Sequence, residues 1–406
     1  MGLNKQSVAV ILLVACSIAR TVLHFQTFSN LSLQQVRSTA YSPEVDKRQI
    51  RDDTSLFRSG QRFRPKNSGE SAATGKCAIN LFGLPRAFQS LVLPSLVQSV
   101  IRPNALYNCD YFVHYYYLTY EKEGRANSGG RLDPDEILLL KQAVHDVSPN
   151  SIVEFRYDQE QAFWDQYQPL IDRIRTVNDT DGHYLYFPWR DKSYVYTLTT
   201  DNIVKMWHSI QSAWELMTEH ETMKSQRYDR VAMLRSDVVY MTPIDLFQAN
   251  RQPLRDGAKV AVVPAFGRYP VSDRMIIGPR DAVEIWAAQR FDRLETHVQF
   301  VHDKHPGWGM HSERFVKWTI FPAIRETNTT IVEDDFMCFF RARADETVMI
   351  KDCEGNRYQN AAPSIVKNLG SDKIGVLESI LGRKCLRQDG SSVLFALAMS
   401  GSGSWV

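Results

Sequence analysis

A mixed α/β fold, with a Rossmann-type, mostly parallel sheet flanked by helices, is what this 406-residue sequence predicts, and three observations predict it. Short apolar runs bounded by polar residues recur at 76–82, 231–234 and 259–263, which suits strands buried on both faces of a parallel sheet. Between the first two, residues 201–219 set Ile203, Met206, Trp207, Ile210, Ala213, Trp214 and Met217 on one helical stripe. Strand, helix and strand therefore alternate as a parallel crossover requires.

Taken in order, the chain opens with a short tail at 1–6, and 7–25 is largely apolar, interrupted by Arg20. With no clean small-x-small cleavage site behind it, this segment reads as an uncleaved transmembrane signal-anchor rather than a cleaved signal peptide. Residues 26–75 turn polar and read as a stem or linker. The body spans 76–362, with 363–406 as a C-terminal extension ending in alternating Ser and Gly.

A net charge of +2 with acids and bases interspersed gives no electrostatic case for nucleic acid. Cys77, Cys109, Cys338, Cys353 and Cys385 make an odd set in the body, without a C-x-x-C pair. One or two disulfides plus a free thiol fit an oxidising lumen, and Cys338 and Cys353 are close enough in sequence to pair. Asn30, Asn178 and Asn328 begin glycosylation sequons that agree with that route.

The first strand runs into Gly83-Leu-Pro-Arg86. A glycine there lets backbone approach a ligand, and the arginine beyond it can pair with a phosphate. A helix over 85–100 follows, with Pro94 as a kink. The aromatic run 110–117 reads as a second strand facing the core, 121–131 as a mobile loop, and Asp133-Pro as a helix start. Residues 151–155 form a third strand, and 158–188 lack a clean period and read as an irregular insertion.

At the centre stands Tyr228-Asp-Arg-Val-Ala-Met-Leu-Arg-Ser-Asp237. Ligands of open α/β sheets collect at the carboxyl ends of strands, so Arg235 and Asp237, leaving a buried strand, fall where a diphosphate and its metal would lie. An ordinary ion pair is the plainer reading of the two. Beyond them, Asp273-Arg274 precedes a short strand at 275–278, and Asp281 with Glu284 forms a capping-box pattern. His302, His305 and His311 with Asp303 have no zinc spacing. Glu313 opens a helix beside a glycine loop, placed to act as a base or merely to charge the helix, with His311 as a further metal ligand. Residues 336–343 read as a strand with a basic end.

In this order the motifs resemble those of Golgi-type, membrane-anchored (type II) glycosyltransferases of the GT-A superfold, from a poorly characterised group. The resemblance rests on Gly83-Leu-Pro-Arg86, Tyr228 to Asp237, Ser272-Asp-Arg274 and His311-Ser-Glu313, and covers about 76–343. It implies a nucleotide-sugar donor, a glycan or glycoconjugate acceptor, and membrane attachment with a lumenal catalytic domain at 76–362. It further implies donor contacts from Gly83, Arg86, Arg235, Asp237 and Arg274, a catalytic base in Glu313 or Asp273, and a manganese or magnesium ion on Asp237 and His311. The sequence departs from the family's Asp-x-Asp by placing Arg235 where the first aspartate belongs. A cation there could itself neutralise the diphosphate. The alternatives are a catalytically silent lumenal carbohydrate-binding or scaffold protein on the same fold, and a glycosidase.

Overall fold

A computed structural model describes residues 75–122, 129–187 and 196–349. The expected anchor, stem and C-terminal extension, with Asn30, Cys353 and Cys385, lie outside the described residues. Among those described, no helix is long and apolar enough to cross a membrane.

The strands of the two larger sheets are β1 (Cys77–Gly83), β2 (Asp110–Tyr116), β3 (Val153–Asp158), β4 (Arg230–Arg235), β5 (Val238–Tyr240), β6 (Val260–Pro264), β7 (Ile276–Pro279), β8 (Thr330–Asp334), β9 (Phe339–Ala342) and β10 (Val348–Met349). Seven build the central sheet in the order β8-β6-β7-β4-β1-β2-β3. All its pairings are parallel except the two made by β7, against β6 and β4. A small antiparallel sheet, β10-β9-β5, continues the chain past the end of β4.

Both faces of the central sheet are covered, which is why its strands read as unbroken apolar runs. Along β1, Ile79 and Leu81 enter one core and Ala78 and Phe82 the other. The first core is closed by a helix over 88–104, here α1, through Phe88, Leu91, Val92, Leu96 and Val100, and by α2 (Leu139–Val147). The second is closed by α4 (Tyr196–Lys224), which buries Val204, Trp207, Ile210, Ala213, Trp214 and Met217. A disulfide between Cys77 and Cys109, 32 residues apart, fastens the start of β1 to the entry of β2. Cys338 is also disulfide-bonded. Its expected pairing with Cys353 lies outside the described residues.

Two local expectations are corrected. Residues 158–188 contain α3 (Glu160–Thr176), with Pro169 inside it. It buries only Phe163, Ile171 and Ile174, a sparse stripe that the proline hides further. Helix α5 (Arg280–Ala288) does not start on a capping box: Arg280 takes Glu284 as an i,i+4 partner instead, at 2.6 Å. Asp133 does cap its helix, accepting the Asp135 N–H at 3.0 Å. The remaining helices are α6 (Leu294–Lys304) and a helix over 312–326, α7.

The parallel strands end together at one rim. Gly83, Tyr116, Asp158, Arg235, Pro264 and Asp334 are their last residues. Because β7 runs antiparallel, with Ile276 opposite Met233, Asp273 and Arg274 enter the sheet from that same rim.

Candidate functional site

At the rim β1 ends in Gly83, whose φ of +114° admits side chains only with strain. Its N–H donates to Ser209 Oγ of α4 at 3.0 Å. Ser236 of the neighbouring strand end donates its N–H to the Phe82 carbonyl at 2.9 Å, which sets Asp237 beside the turn. The turn delivers Arg86. Its guanidinium pairs with Asp237 Oδ2 through Nη1 and forks onto Glu121, with Nε 2.6 Å from Oε2.

Arg235 forks onto the same carboxylate, Nε to Oδ1 and Nη2 to Oδ2, both at 2.7 Å. Asp237 is buried, at 2% exposure, yet its surroundings are ionic. Burial would raise its pKa, but Arg235, Arg86 and Arg343 outweigh that and hold the carboxyl well below the ordinary range. Arg343 follows β9, whose Ala342 N–H donates to the Asp237 carbonyl at 2.9 Å. Burial and the nearby Arg341 and Arg86 lower Arg343 to about 10.

A cation does not fit at Asp237. Both carboxylate oxygens already accept from guanidiniums, Oδ2 from two of them, and a metal on the direction left at Oδ1 would sit beside the positive charges of Arg235 and Arg86. His311 is occupied elsewhere: it is the N-cap of α7, its Nδ1 accepting the Arg314 N–H at 3.4 Å.

A second cluster joins the chain before β7 to the start of α7. Ser312 donates its hydroxyl to Asp273 Oδ2 at 2.5 Å, and Glu313 Oε2 lies 3.3 Å from His311 Nδ1. Burial first, then the Asp273 carboxylate, push Glu313 up to about 8, against the pull of Arg274 and Arg314. Burial lowers His311 to about 4, so it is a neutral ring. Arg274 passes over Gly267, where a Cβ would meet its Cζ at 2.8 Å, and faces the Phe266 ring. Beneath lies Arg290, at 1% exposure, its Cζ 4.1 Å from the centre of the Trp286 ring. Its Nη1 and Nη2 have no hydrogen-bond partner among the described residues, and Asp273 is the carboxylate that offsets its buried charge.

The structure thus gathers Gly83, Arg86, Arg235 and Asp237 into one ionic cluster, and Asp273, Arg274, His311 and Glu313 into another on the same rim. Glu121, Arg290 and Arg343 were not singled out from the sequence. Each lies far along the chain from the motif it joins, and only the basic end of β9 gave any sign. A third rim cluster, His114, Asp158 and His208, was missed too; its members are 44 and 50 residues from Asp158. An open groove of about 540 Å³ lies near the start of β4, lined by Glu221, Gln226, Arg227, Arg280 and Glu284. Within it Arg280 pairs with Glu221 and Glu284, and the groove is remote from these clusters in the sheet.

No protein-family model and no curated protein matches the chain. Among solved structures, that of mouse xyloside xylosyltransferase 1 in its apo form is similar at 12% identity, over 63% of this chain and 84% of that one, with a TM-score of 0.29. A superposition that loose carries no argument about fold or chemistry.

Proposed function

We propose that the protein is a glycosyltransferase that moves a sugar from a nucleotide-sugar donor to a glycan, glycoprotein or glycolipid acceptor in the secretory pathway. One observation carries the reading: the glycine turn, Arg86, Arg235 and Asp237 converge where parallel strands end, the usual ligand rim of an open α/β sheet. In this reading Gly83 lets the donor approach the backbone. Arg86 and Arg235, oriented by Asp237, neutralise the charge that develops on the departing diphosphate. Arg274 supplies a further donor contact. No step is routed through a metal at Asp237.

Glu313 is the preferred base for an inverting transfer. A carboxyl held up to about 8 is, once deprotonated, a stronger base than an ordinary glutamate, and a value near neutrality suits general base catalysis. Asp273, anchored by Ser312, would then hold the acceptor hydroxyl or share the proton. The Cys77–Cys109 disulfide and the exposed sequon residues Asn178 and Asn328 support a lumenal location for the body. Membrane attachment through 7–25 belongs to the same proposal.

The closed Arg86–Asp237–Arg235 arrangement also favours a second reading, a silent lumenal carbohydrate-binding protein. Thermal unfolding with UDP or GDP, with and without manganese, separates the two, followed by a donor-hydrolysis screen across nucleotide sugars. Stabilisation by a nucleotide together with hydrolysis of one donor supports the transferase. No shift with any nucleotide selects the silent protein.

A further inference from the structure

One rim cluster has no part in the proposed transfer. His114 lies on β2, in register with Phe82 of β1; Asp158 ends β3; His208 is on α4. Both imidazoles aim Nε2 at one oxygen, Asp158 Oδ2, from 3.1 Å for His114 and 2.5 Å for His208. The ring planes are 82° apart, so the two nitrogens approach from different directions. All three ligand atoms lie within 4.8 Å of one another.

We propose that His114, Asp158 and His208 form a binding site for a divalent transition metal of the zinc class. Bonds of about 2.0–2.1 Å in a tetrahedral shell separate ligand atoms by roughly 3.3 Å. The His114–Asp158 separation of 3.1 Å is already close to that, and His208 needs to withdraw by under about an ångström. One cation would take the place of the hydrogen bonds between the two Nε2 atoms and the carboxylate, each neutral ring carrying its proton on Nδ1 toward Ser209 or Tyr167, with His208 the ring that shifts.

The supporting shell is also built. His114 Nδ1 is 2.8 Å from Ser209 Oγ, and His208 Nδ1 is 3.0 Å from Tyr167 Oη, so a hydroxyl fixes each ring from behind. The ligands come from two strands and a long helix, which hold geometry better than loops. Two imidazoles and one carboxylate select zinc, cobalt or nickel over magnesium or calcium. His114 is fully buried while Asp158 is 26% exposed, so the carboxylate side leaves a coordination position open to solvent. Ser209 also accepts the Gly83 N–H, which puts the site one hydroxyl away from the glycine turn. The other candidate group, Asp179, Asp181 and His183, has no such shell among the described residues: Asp179 Oδ1 accepts the N–H groups of Asp181 and His183 in its own turn.

The proposal does not depend on the transferase reading, and its test uses no nucleotide. The full-length chain, stripped with chelator, is titrated with Co2+ and read by its visible d–d absorption, with stoichiometry from elemental analysis. One Co2+ per chain, displaced by Zn2+, is expected. H208A and D158N abolish the spectrum, Y167F weakens binding by about tenfold while retaining the fold, and D179N/H183A changes nothing. Circular dichroism verifies that each variant folds, and Y167F keeps the test decisive where a ligand variant does not. Absence of a cobalt spectrum in the wild-type chain overturns the proposal. So does a spectrum untouched by H208A, D158N and Y167F, or one lost in D179N/H183A.

Discussion

Replacing Asp237 with asparagine preserves shape and removes the one charge that Arg86 and Arg235 share. Asp237 is 2% exposed, and the arginine side chains are 16% and 20% exposed. Removing one partner from a buried charge pair costs about 3–5 kcal/mol, because the remaining charge is left without compensation. Here Arg86 keeps Glu121 and both arginines can partly rehydrate, so the expected loss is near the lower end, about 3 kcal/mol. Urea unfolding of the full-length chain measures it. A cycle of D237N, R86M and the double variant should return a coupling energy of about 1–3 kcal/mol.

The pH dependence has a fixed sign. The folded carboxyl is held below its ordinary value, so its stabilisation is complete above about pH 4 and is lost as pH falls toward the folded value. The gap between wild type and D237N should therefore narrow in acid. A cation ligand behaves oppositely: without metal, its substitution leaves stability unchanged or improved. If D237N matches the metal-free wild type within about 0.5 kcal/mol, the ion-pair account of Asp237 is wrong.

Three further expectations follow from the same structure. Glu313 is raised to about 8, which means stability is lost as pH rises through that value; His311 and His297, each lowered to about 4, give the opposite trend below about pH 6.5, so the clean window is pH 6.5–8. Over that window E313Q should gain on wild type by on the order of 1–2 kcal/mol in urea titrations, and equal slopes would remove the argument for Glu313 as a perturbed base. Cys77→Ser opens a cross-link spanning 32 residues and should cost about 4 kcal/mol, seen as a lower urea midpoint; reductant, which also opens the Cys338 disulfide, should lower the wild-type midpoint at least as far. Asn178 and Asn328 are exposed, so full-length chain expressed in eukaryotic cells should lose mass on N-glycosidase treatment, and N178Q and N328Q should each remove one glycan; unchanged mass in all cases counts against a lumenal body.

What the sequence exposes is what repeats locally. The runs within 76–82, 231–234 and 259–263 are apolar at nearly every strand position because both sheet faces are covered, and the stripe of α4 repeats because one helix face meets that sheet. Position along a strand was legible too, since Gly83 and Asp237 follow apolar runs closely. Helix α3 was not legible, because three buried positions in 17 residues give almost no period. Partners were least legible. Glu121 reaches Arg86 across 35 residues, Ser312 reaches Asp273 across 39, and Asp158 meets His114 and His208 through strand order alone. Whether Asp237 reads as a metal ligand or as the anchor of two arginines turns on such contacts. Arg235 is two residues away and visible in the motif, but its fork alone leaves a second lone-pair direction on each oxygen for a cation. It is Arg86, placed by β1 lying beside β4, that takes the one on Oδ2 and brings a second positive charge to the carboxylate.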